Sequence, residues 1–256
     1  KGDILAESEK FNEAFETLDN VLHNMSAIED PHKRYLVQAE AKKIRGKIHY
    51  YINEWDQSEE AFKESETMYA LADDHAGLAA IYNNLGVLYM FQGDWEKSES
   101  FFLKSLGIEK EYYNLNGISV CFNNLGGLMD DKGDASRSLY YLEEALKIQQ
   151  LLSEPYNITN IYNNIGVTMM DHGDYERAEE ALKKSLETAI EFNFFRNTVA
   201  SLNNLGALSF KKGDWKGSTT YYEKAIKLSE ENGFGEGLLR SYNNLGEVYE
   251  KSNELN

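Results

Sequence analysis

Pairs of adjacent asparagines recur along the chain at a fixed step of 40 residues. A carboxamide carries an oxygen acceptor and two N–H donors, so it can pair with both the C=O and the N–H of an extended peptide. A row of such groups at regular spacing could hold a peptide backbone whatever its side chains. The first members of the pairs form the first asparagine row: Asn83, Asn123, Asn163, Asn203 and Asn243. The second members form the second asparagine row: Asn84, Asn124, Asn164, Asn204 and Asn244.

Other reactive side chains show no spacing that indicates catalysis. The five histidines lack metal-ligand spacing, and no glycine-rich phosphate loop or paired acid–base set stands out. Cys121 is the single cysteine and takes the place of Ile81 and Ile161 in the repeat, which favours a buried thiol. The sequence therefore predicts a binding protein that is not an enzyme and has no metal or cofactor.

The charge balance narrows the class of partner. The formal net charge is -17, whereas binding to nucleic acid or to an acidic membrane needs clustered Lys and Arg. No apolar run approaches the roughly 18 residues that would cross a bilayer. A lone cysteine suits a reducing compartment, so the expected location is cytoplasmic. A protein or peptide partner is predicted, with no nucleic acid and no membrane insertion.

Helices must position the asparagines. Around Asn84 the apolar residues with helical spacing are Tyr82, Leu85, Gly86 and Tyr89. At about 100° per residue, Asn84 points nearly opposite this apolar face and Asn83 lies on its flank. The second row is therefore predicted to contact a peptide, and the first row to be more structural. Hydrogen bonding between adjacent helices is the alternative reason for the recurrence of either row.

A turn and a second helix follow each asparagine helix. In a Gly-Asp turn, glycine takes the left-handed conformation that ends a helix and aspartate caps the next one. Small residues in the second helix would let the paired backbones approach, with a large apolar residue four positions later. The turns are Gly93-Asp94, Gly133-Asp134, Gly173-Asp174 and Gly213-Asp214. The small residues are Ser98, Ser138, Ala178 and Ser218.

The first repeat departs from this pattern. Gly46 falls on the 40-residue grid, but that register would put Lys42, Arg45 and His49 on the buried face. A register shifted by one residue would bury apolar side chains instead, and the position of Gly46 on the grid would then be a coincidence. The shifted face carries Val37, Ala41, Ile44 and Ile48. Lys42-Lys43 then stands where later repeats have two asparagines, and Lys43 is a candidate partner for a ligand carboxylate.

The motif resembles the tetratricopeptide repeat. Tyr82-x-x-Leu85-Gly86 is followed by a small residue at Ser98 and a large apolar one at Phe102. The 40-residue unit with Asn-Asn-Leu is similar to the longer repeats of kinesin light chains, Pins-type adaptors and bacterial sensor and regulator proteins. The resemblance implies an all-α, right-handed superhelical solenoid of antiparallel helix pairs whose first helices line a concave groove. Long-repeat members of the family use asparagines at this site to hold extended peptides.

The expected organisation is one array over residues 1–256. Residues 1–30 would be the second helix of a truncated repeat and 234–256 the first helix of another. The full repeats would be 31–73, 74–113, 114–153, 154–193 and 194–233. Uncovered apolar faces at the two ends predict contacts with other domains, or end to end, and suggest a piece of a longer protein.

The predicted function is a scaffold that captures a peptide backbone on an asparagine ladder. Apolar residues around the ladder would choose among side chains: Val87, Phe91, Val167, Met170 and Phe210. Two alternatives stay open. One is a sensory or regulatory module of a larger signalling protein with a kinase, cyclase or transcription-regulator output. The other is a structural or self-assembling spacer whose groove binds nothing.

Overall fold

The computed structural model describes residues 2–254, and the side chains of residues 11–252. The backbone of these residues forms twelve α-helices, with a short 3-10 helix at Asn24–Ala27 and no strand. The helices are α1 (Gly2–His23), α2 (Pro31–Tyr51), α3 (Trp55–Leu71), α4 (His75–Phe91), α5 (Trp95–Glu111), α6 (Leu115–Asp131), α7 (Ala135–Leu152), α8 (Pro155–Asp171), α9 (Tyr175–Glu191), α10 (Phe195–Lys211), α11 (Trp215–Glu231) and α12 (Gly235–Glu254).

The chain divides into two compact units within α6. Unit 1 spans residues 1–124 and unit 2 spans residues 125–256. In unit 1 the pairs α2 and α3, and α4 and α5, pack as helical hairpins; in unit 2 so do α8 and α9, and α10 and α11. The ends of the predicted array, residue 1 and residues 255–256, lie outside the described residues.

The Gly-Asp turns behave as predicted. The φ angles of the four turn glycines lie between 76° and 81°, in the left-handed region that glycine adopts without steric strain. The glycines are Gly93, Gly133, Gly173 and Gly213. The aspartate that follows accepts a hydrogen bond from the first turn of the next helix, as Asp94 does from Lys97 N at 3.2 Å. The helix-capping role of these residues is confirmed.

Glycine and serine let each hairpin close. Ser98 Oγ donates to the carbonyl oxygen of Gly86 at 2.8 Å, and Ser218 Oγ donates to that of Gly206 at 2.9 Å. A Cβ placed on Gly86 would lie 2.5 Å from the ring of Phe102, which is fully buried. The predicted close approach of the paired backbones is confirmed.

The predicted register of the first repeat is wrong. Gly46 is buried under Phe62 as Gly86 is under Phe102, and Ser58 Oγ donates to the Gly46 carbonyl oxygen at 2.8 Å. Of the shifted face, Ala41 and Ile48 are buried toward α1, whereas Val37 and Ile44 remain 36% and 39% exposed. Gly46 is therefore a true small-residue site on the 40-residue grid.

Ion pairs explain why the grid register tolerates charged residues. The three polar side chains that the register half-buries each have a carboxylate partner on a neighbouring helix or turn. The pairs are Lys42 with Glu64 at 2.6 Å, Arg45 with Asp19, and His49 with Glu54 at 2.7 Å. A carboxylate lies beside the ammonium of Lys42, the guanidinium of Arg45 and the imidazole of His49, so partial burial does not leave an unpaired charge, although Arg45 Nε has no acceptor among the described residues.

Candidate functional site

The two asparagine rows are hydrogen-bonded to each other between consecutive asparagine helices. In each bond, Nδ2 of a second-row residue donates to Oδ1 of the first-row residue 41 positions earlier. In unit 1 the bond runs from Asn124 to Asn83 at 2.7 Å. In unit 2 it runs from Asn204 to Asn163 at 2.8 Å, and from Asn244 to Asn203 at 3.5 Å. We call this arrangement the asparagine ladder.

Burial differs along the ladder. Asn203 and Asn204 on α10 are only 1% and 5% exposed. Asn203 Nδ2 also donates to the carbonyl oxygen of Val199 at 3.0 Å and to Ser241 Oγ at 2.9 Å. Arg240 donates to Asn204 Oδ1 at 3.2 Å. The amides of α10 are thus occupied by contacts within unit 2.

The remaining ladder residues are more accessible. Half-buried members occur in both units: Asn83, Asn84, Asn123, Asn124, Asn163, Asn164 and Asn244. Asn243 is exposed. Accessibility therefore does not follow the predicted division between a peptide-facing second row and a structural first row.

At the N-terminal end, the ladder stops at Asn84. Its Nδ2 is buried, and no group in the described part of the chain accepts a hydrogen bond from it. The residue 41 positions before Asn84 is Lys43, which has no carbonyl in its side chain. The Lys43 ammonium instead lies 2.6 Å from Glu40 and 5.6 Å from the centre of the Tyr69 ring.

A polar cavity of about 320 Å³ opens beside this end of the ladder in unit 1. It lies among α2, α4, α5 and the first turns of α6. Its lining includes Lys43, Lys47, Asn83, Asn84, Glu109 and Val120. The Glu109 carboxylate lies against Gly117 at the start of α6. The cavity therefore combines amides with one exposed lysine and one carboxylate.

The structure separates the predicted apolar contacts into two groups. Val87 and Val167 are half-buried, and Phe91 is 59% exposed. The Phe91 ring meets the Tyr50 ring edge-on, with 5.4 Å between the ring centres. By contrast, Met170 is 6% exposed, and the ring of Phe210 packs 5.1 Å from that of Trp215. The first group is available to a ligand, and the second is engaged in packing within unit 2.

Several amides outside the two asparagine rows form further hydrogen bonds between helices of unit 2. Asn197 Nδ2 donates to Asn160 Oδ1 at 2.6 Å, between α10 and α8. Asn157 Nδ2 donates to Gln149 Oε1 at 3.2 Å. Asn160 lies one helical turn before Asn164, so an i, i+4 search from the ladder would have found it. Asn157 and Asn197 lie one 40-residue step apart, so the repeat grid would have found them, although the equivalent positions 77, 117 and 237 are glycine.

Near the end of α6, an aspartate stands at a repeat position that is apolar in other repeats. Asp130 takes the position of Met90, Met170 and Phe210. Its Oδ1 is buried without a hydrogen-bond donor among the described residues, and lies 3.8 Å from His172 Nδ1. Burial raises the pKa of the Asp130 carboxyl group, opposed by a hydrogen bond from Thr168 and by the charge of His172.

We expect Asp130→Asn to raise the free energy of unfolding at pH 7 and to do so less at pH 4. Because the folded-state pKa is raised, the native state retains a proton that the unfolded chain releases, and native stability falls as pH rises. This cost is absent below the ordinary pKa of aspartate, about 4, and complete above the raised pKa. Urea unfolding of both chains at both pH values measures the difference in the free energy of unfolding. An equal gain in stability at the two pH values would contradict the raised pKa of Asp130 as its cause.

Neither a cluster of metal ligands nor a membrane-spanning helix occurs among the residues that the structure describes. No group of three or more His, Cys, Asp or Glu side chains is arranged to hold a metal ion. None of the described helices is long and apolar enough to span a membrane.

Comparisons with known proteins define the family. A Tetratricopeptide repeat model matches residues 77–151 and 197–256, and a second one matches residues 159–191. The first model alone covers more than half of the chain. The chain therefore has a fold built from antiparallel helix pairs, and it belongs to the tetratricopeptide repeat family. The predicted family and all-α fold class are confirmed.

Solved structures share the fold at low sequence identity. A Rap protein complexed with Competence and Sporulation Factor is 19% identical, with a TM-score of 0.74 over 92% of this chain and 68% of that chain. NprR in complex with its cognate peptide NprX is 17% identical, with a TM-score of 0.64 over 97% and 74%. A Podospora anserina protein described as a kinesin light chain is 14% identical, with a TM-score of 0.62 over 80% and 99%. A search of curated proteins found no match.

Proposed function

We propose that this chain is a peptide-binding module that holds an extended peptide against its asparagine helices through the half-buried amides of the ladder. The hydrogen bonds between ladder residues carry the proposal. The bond from Asn124 to Asn83 uses one of two N–H donors and one of two oxygen lone pairs. It orients both groups without using all of their capacity, and such pre-organisation lowers the entropy cost of binding.

The surroundings of the ladder support a peptide as the ligand. Val87, Phe91 and Val167 lie on the same helices as half-buried asparagines and are not fully buried. They offer apolar contacts beside groups that can pair with a backbone. NprR, solved with its cognate peptide, is a protein of the same fold that binds a peptide. The similarity to NprR supports the fold. The half-buried amides support capture of a peptide backbone as the mode of binding.

The test begins with peptides selected from a random 12-residue library on the immobilised chain. We expect Asn124→Ala with Asn164→Ala to weaken their binding about tenfold to a hundredfold, because each lost hydrogen bond contributes about 0.5–1.5 kcal/mol. Fluorescence anisotropy measures the dissociation constants, and circular dichroism checks that helicity is kept. Methylating the peptide backbone nitrogens is expected to weaken binding as well.

The matched control removes two asparagines elsewhere. Asn12 and Asn20 are exposed on α1, and their replacement with alanine is expected to leave peptide affinity unchanged. Equal affinity of the wild-type chain and the ladder variant would contradict backbone capture. That result would favour the regulatory or spacer alternatives, in which the ladder only joins helices.

A further inference from the structure

Aromatic side chains are concentrated at the turn between α9 and α10 in unit 2, where phenylalanine occupies positions 192, 194 and 195. Phe192 is 47% exposed, and its ring stacks on that of Phe194 with 5.9 Å between the ring centres. The ring of Tyr156, at the start of α8, meets the Phe194 ring edge-on at 5.3 Å. We call this surface the aromatic edge, and it consists of Tyr156, Ile190, Phe192, Phe194 and Phe195.

The aromatic edge takes the place of a helix cap. Asp74 and Asn114 stand at the equivalent position before α4 and α6, where they accept hydrogen bonds at 3.0 Å and 3.2 Å from backbone N–H groups of the first turn. Phe194 is the N-cap residue of α10, and its side chain makes no capping hydrogen bond. A polar N-cap stabilises a helix more than an apolar one does. The chain therefore gives up stability at α10 and keeps partly exposed rings there, which indicates a role for the rings outside folding.

A pocket of about 330 Å³ opens beside these rings, between the ends of α9 and α11 and the first turn of α10. Ile190, Phe195 and Leu228 line it with apolar atoms, and Ile190 is 58% exposed. Asn193 and Asn232 add polar groups to the lining. A pocket of this volume and lining suits one large apolar side chain of a partner.

Negative charge surrounds the aromatic edge. The segments 151–156, 187–196 and 230–236, which carry the three turns at this edge, contain six acidic side chains and one basic side chain. The acidic residues are all exposed: Glu154, Glu187, Glu191, Glu230, Glu231 and Glu236. The basic residue is Arg196, whose guanidinium lies 4.5 Å from the centre of the Phe234 ring. Lys227, one turn earlier on α11, lies 4.0 Å from Glu231.

The opposite ends of the same helices are balanced in charge. Residues 171–177 and 211–217 carry two of the Gly-Asp turns and contain four acidic side chains and four of Lys or Arg. They are Asp171, Asp174, Glu176 and Asp214 against Arg177, Lys211, Lys212 and Lys216. The acidic excess thus distinguishes the aromatic edge from the Gly-Asp turns. A partner that complements this edge needs an apolar group for the pocket and cations for the carboxylates.

We propose that the aromatic edge is a second docking surface, which binds a segment of another protein that carries a large apolar side chain flanked by Lys or Arg. The apolar side chain enters the pocket against Ile190 and Phe195. The flanking cations lie beside the glutamates and the exposed rings, both of which attract positive charge. None of these contacts uses a ladder residue, so docking at the aromatic edge is independent of peptide capture on the ladder.

The experiment compares two synthetic peptides. The basic probe is acetyl-Lys-Lys-Phe-Leu-Lys-Lys-amide, and the acidic probe is acetyl-Glu-Glu-Phe-Leu-Glu-Glu-amide. Each is titrated into the ¹⁵N-labelled chain, and shifts of the backbone amide signals give the dissociation constant. The edge variant carries Ile190→Ser with Phe192→Ser. The matched control carries Leu103→Ser with Tyr140→Ser, which removes two apolar side chains that are 47% and 58% exposed elsewhere.

We expect the basic probe to shift signals of residues 187–196 in the wild-type chain. The edge variant is expected to bind it about tenfold more weakly, because apolar burial at the pocket is lost. The matched control and the ladder variant Asn124→Ala with Asn164→Ala are expected to keep the wild-type affinity. The acidic probe is expected to bind about tenfold more weakly than the basic probe, because like charges repel.

Phe194→Asn separates binding from folding. It places at the N-cap of α10 the residue type that caps α6 at Asn114. We expect this variant to keep the midpoint of thermal unfolding, because the new cap offsets the lost ring contacts, and to bind the basic probe about tenfold more weakly. Circular dichroism checks helicity, and if the edge variant lost its helicity, the binding result for Phe194→Asn alone would decide.

Four outcomes would overturn the docking surface. They are unchanged binding of the basic probe in Phe194→Asn, an equal loss of affinity in the matched control, tighter binding of the acidic probe, and loss of affinity in the ladder variant alone. Neutral phosphatidylcholine vesicles provide the last comparison. If the chain bound them through the aromatic edge at lower concentration than the basic probe, the edge would belong to a lipid surface and the proposal of a protein partner would be overturned.

Discussion

Replacing Phe102 with alanine is expected to lower the free energy of unfolding by about 3–5 kcal/mol. The ring is fully buried in the α4–α5 hairpin and lies directly over Gly86. Its removal would take away buried apolar surface and leave a cavity where the two backbones are too close to each other to collapse further. Urea unfolding measures the loss, with Leu103→Ala as the control because Leu103 is 47% exposed.

A double-mutant cycle with Gly86 sharpens this prediction. In the wild-type chain, Gly86→Ala would place a Cβ 2.5 Å from the Phe102 ring. Overpacking of this kind costs about 1–3 kcal/mol, which exceeds or offsets the roughly 1 kcal/mol by which alanine favours a helix over glycine. In the Phe102→Ala chain the clash is gone, so we expect Gly86→Ala to stabilise it. Additive effects of the two substitutions would contradict direct packing of the ring on the glycine.

Asn203→Ala is expected to destabilise the protein by about 2–3 kcal/mol. The Asn203 side chain is almost fully buried and has hydrogen-bonding partners on α10 and α12. The partners are Val199, Ser241 and Asn244. Truncation would remove these bonds and leave polar atoms buried without their partner. Thermal or urea unfolding of the purified variant measures the effect.

Asn243→Ala is the matched control, since it alters the same row one repeat later. Asn243 is exposed, so its replacement is expected to change the free energy of unfolding by no more than about 0.5 kcal/mol. If the two variants lost equal stability, burial and the contacts of Asn203 would not explain its role. If neither lost stability, the hydrogen bonds of Asn203 would contribute nothing net to folding.

The double substitution Asn124→Ala with Asn164→Ala tests whether half-buried asparagines of the ladder bind a peptide backbone. Asn203 supplies the contrasting case, in which the same residue type is occupied by intramolecular bonds. Comparing these variants separates a ligand-binding role from a helix-joining role at residues of identical type.

The sequence by itself determined the helical class, the 40-residue unit, the turns and the packing of glycine under a large apolar residue. These features depend on local properties: backbone freedom at Gly93, capping by Asp94 and helical spacing around Gly86. Each property acts within one helix or one hairpin. The turns, caps and glycine packing can therefore be predicted from a single repeat, and comparison of successive repeats adds the 40-residue unit.

Only the tertiary structure decided the register of α2 and the roles of the individual asparagines. Apolar spacing within α2 could not show that Asp19 on α1 and Glu64 on α3 neutralise half-buried charges, so it predicted the wrong buried face. The ladder bonds join residues 41 positions apart, and burial of Asn203 depends on contacts with α12. Identical side chains acquire different roles because their partners, burial and hydrogen bonds come from neighbouring helices.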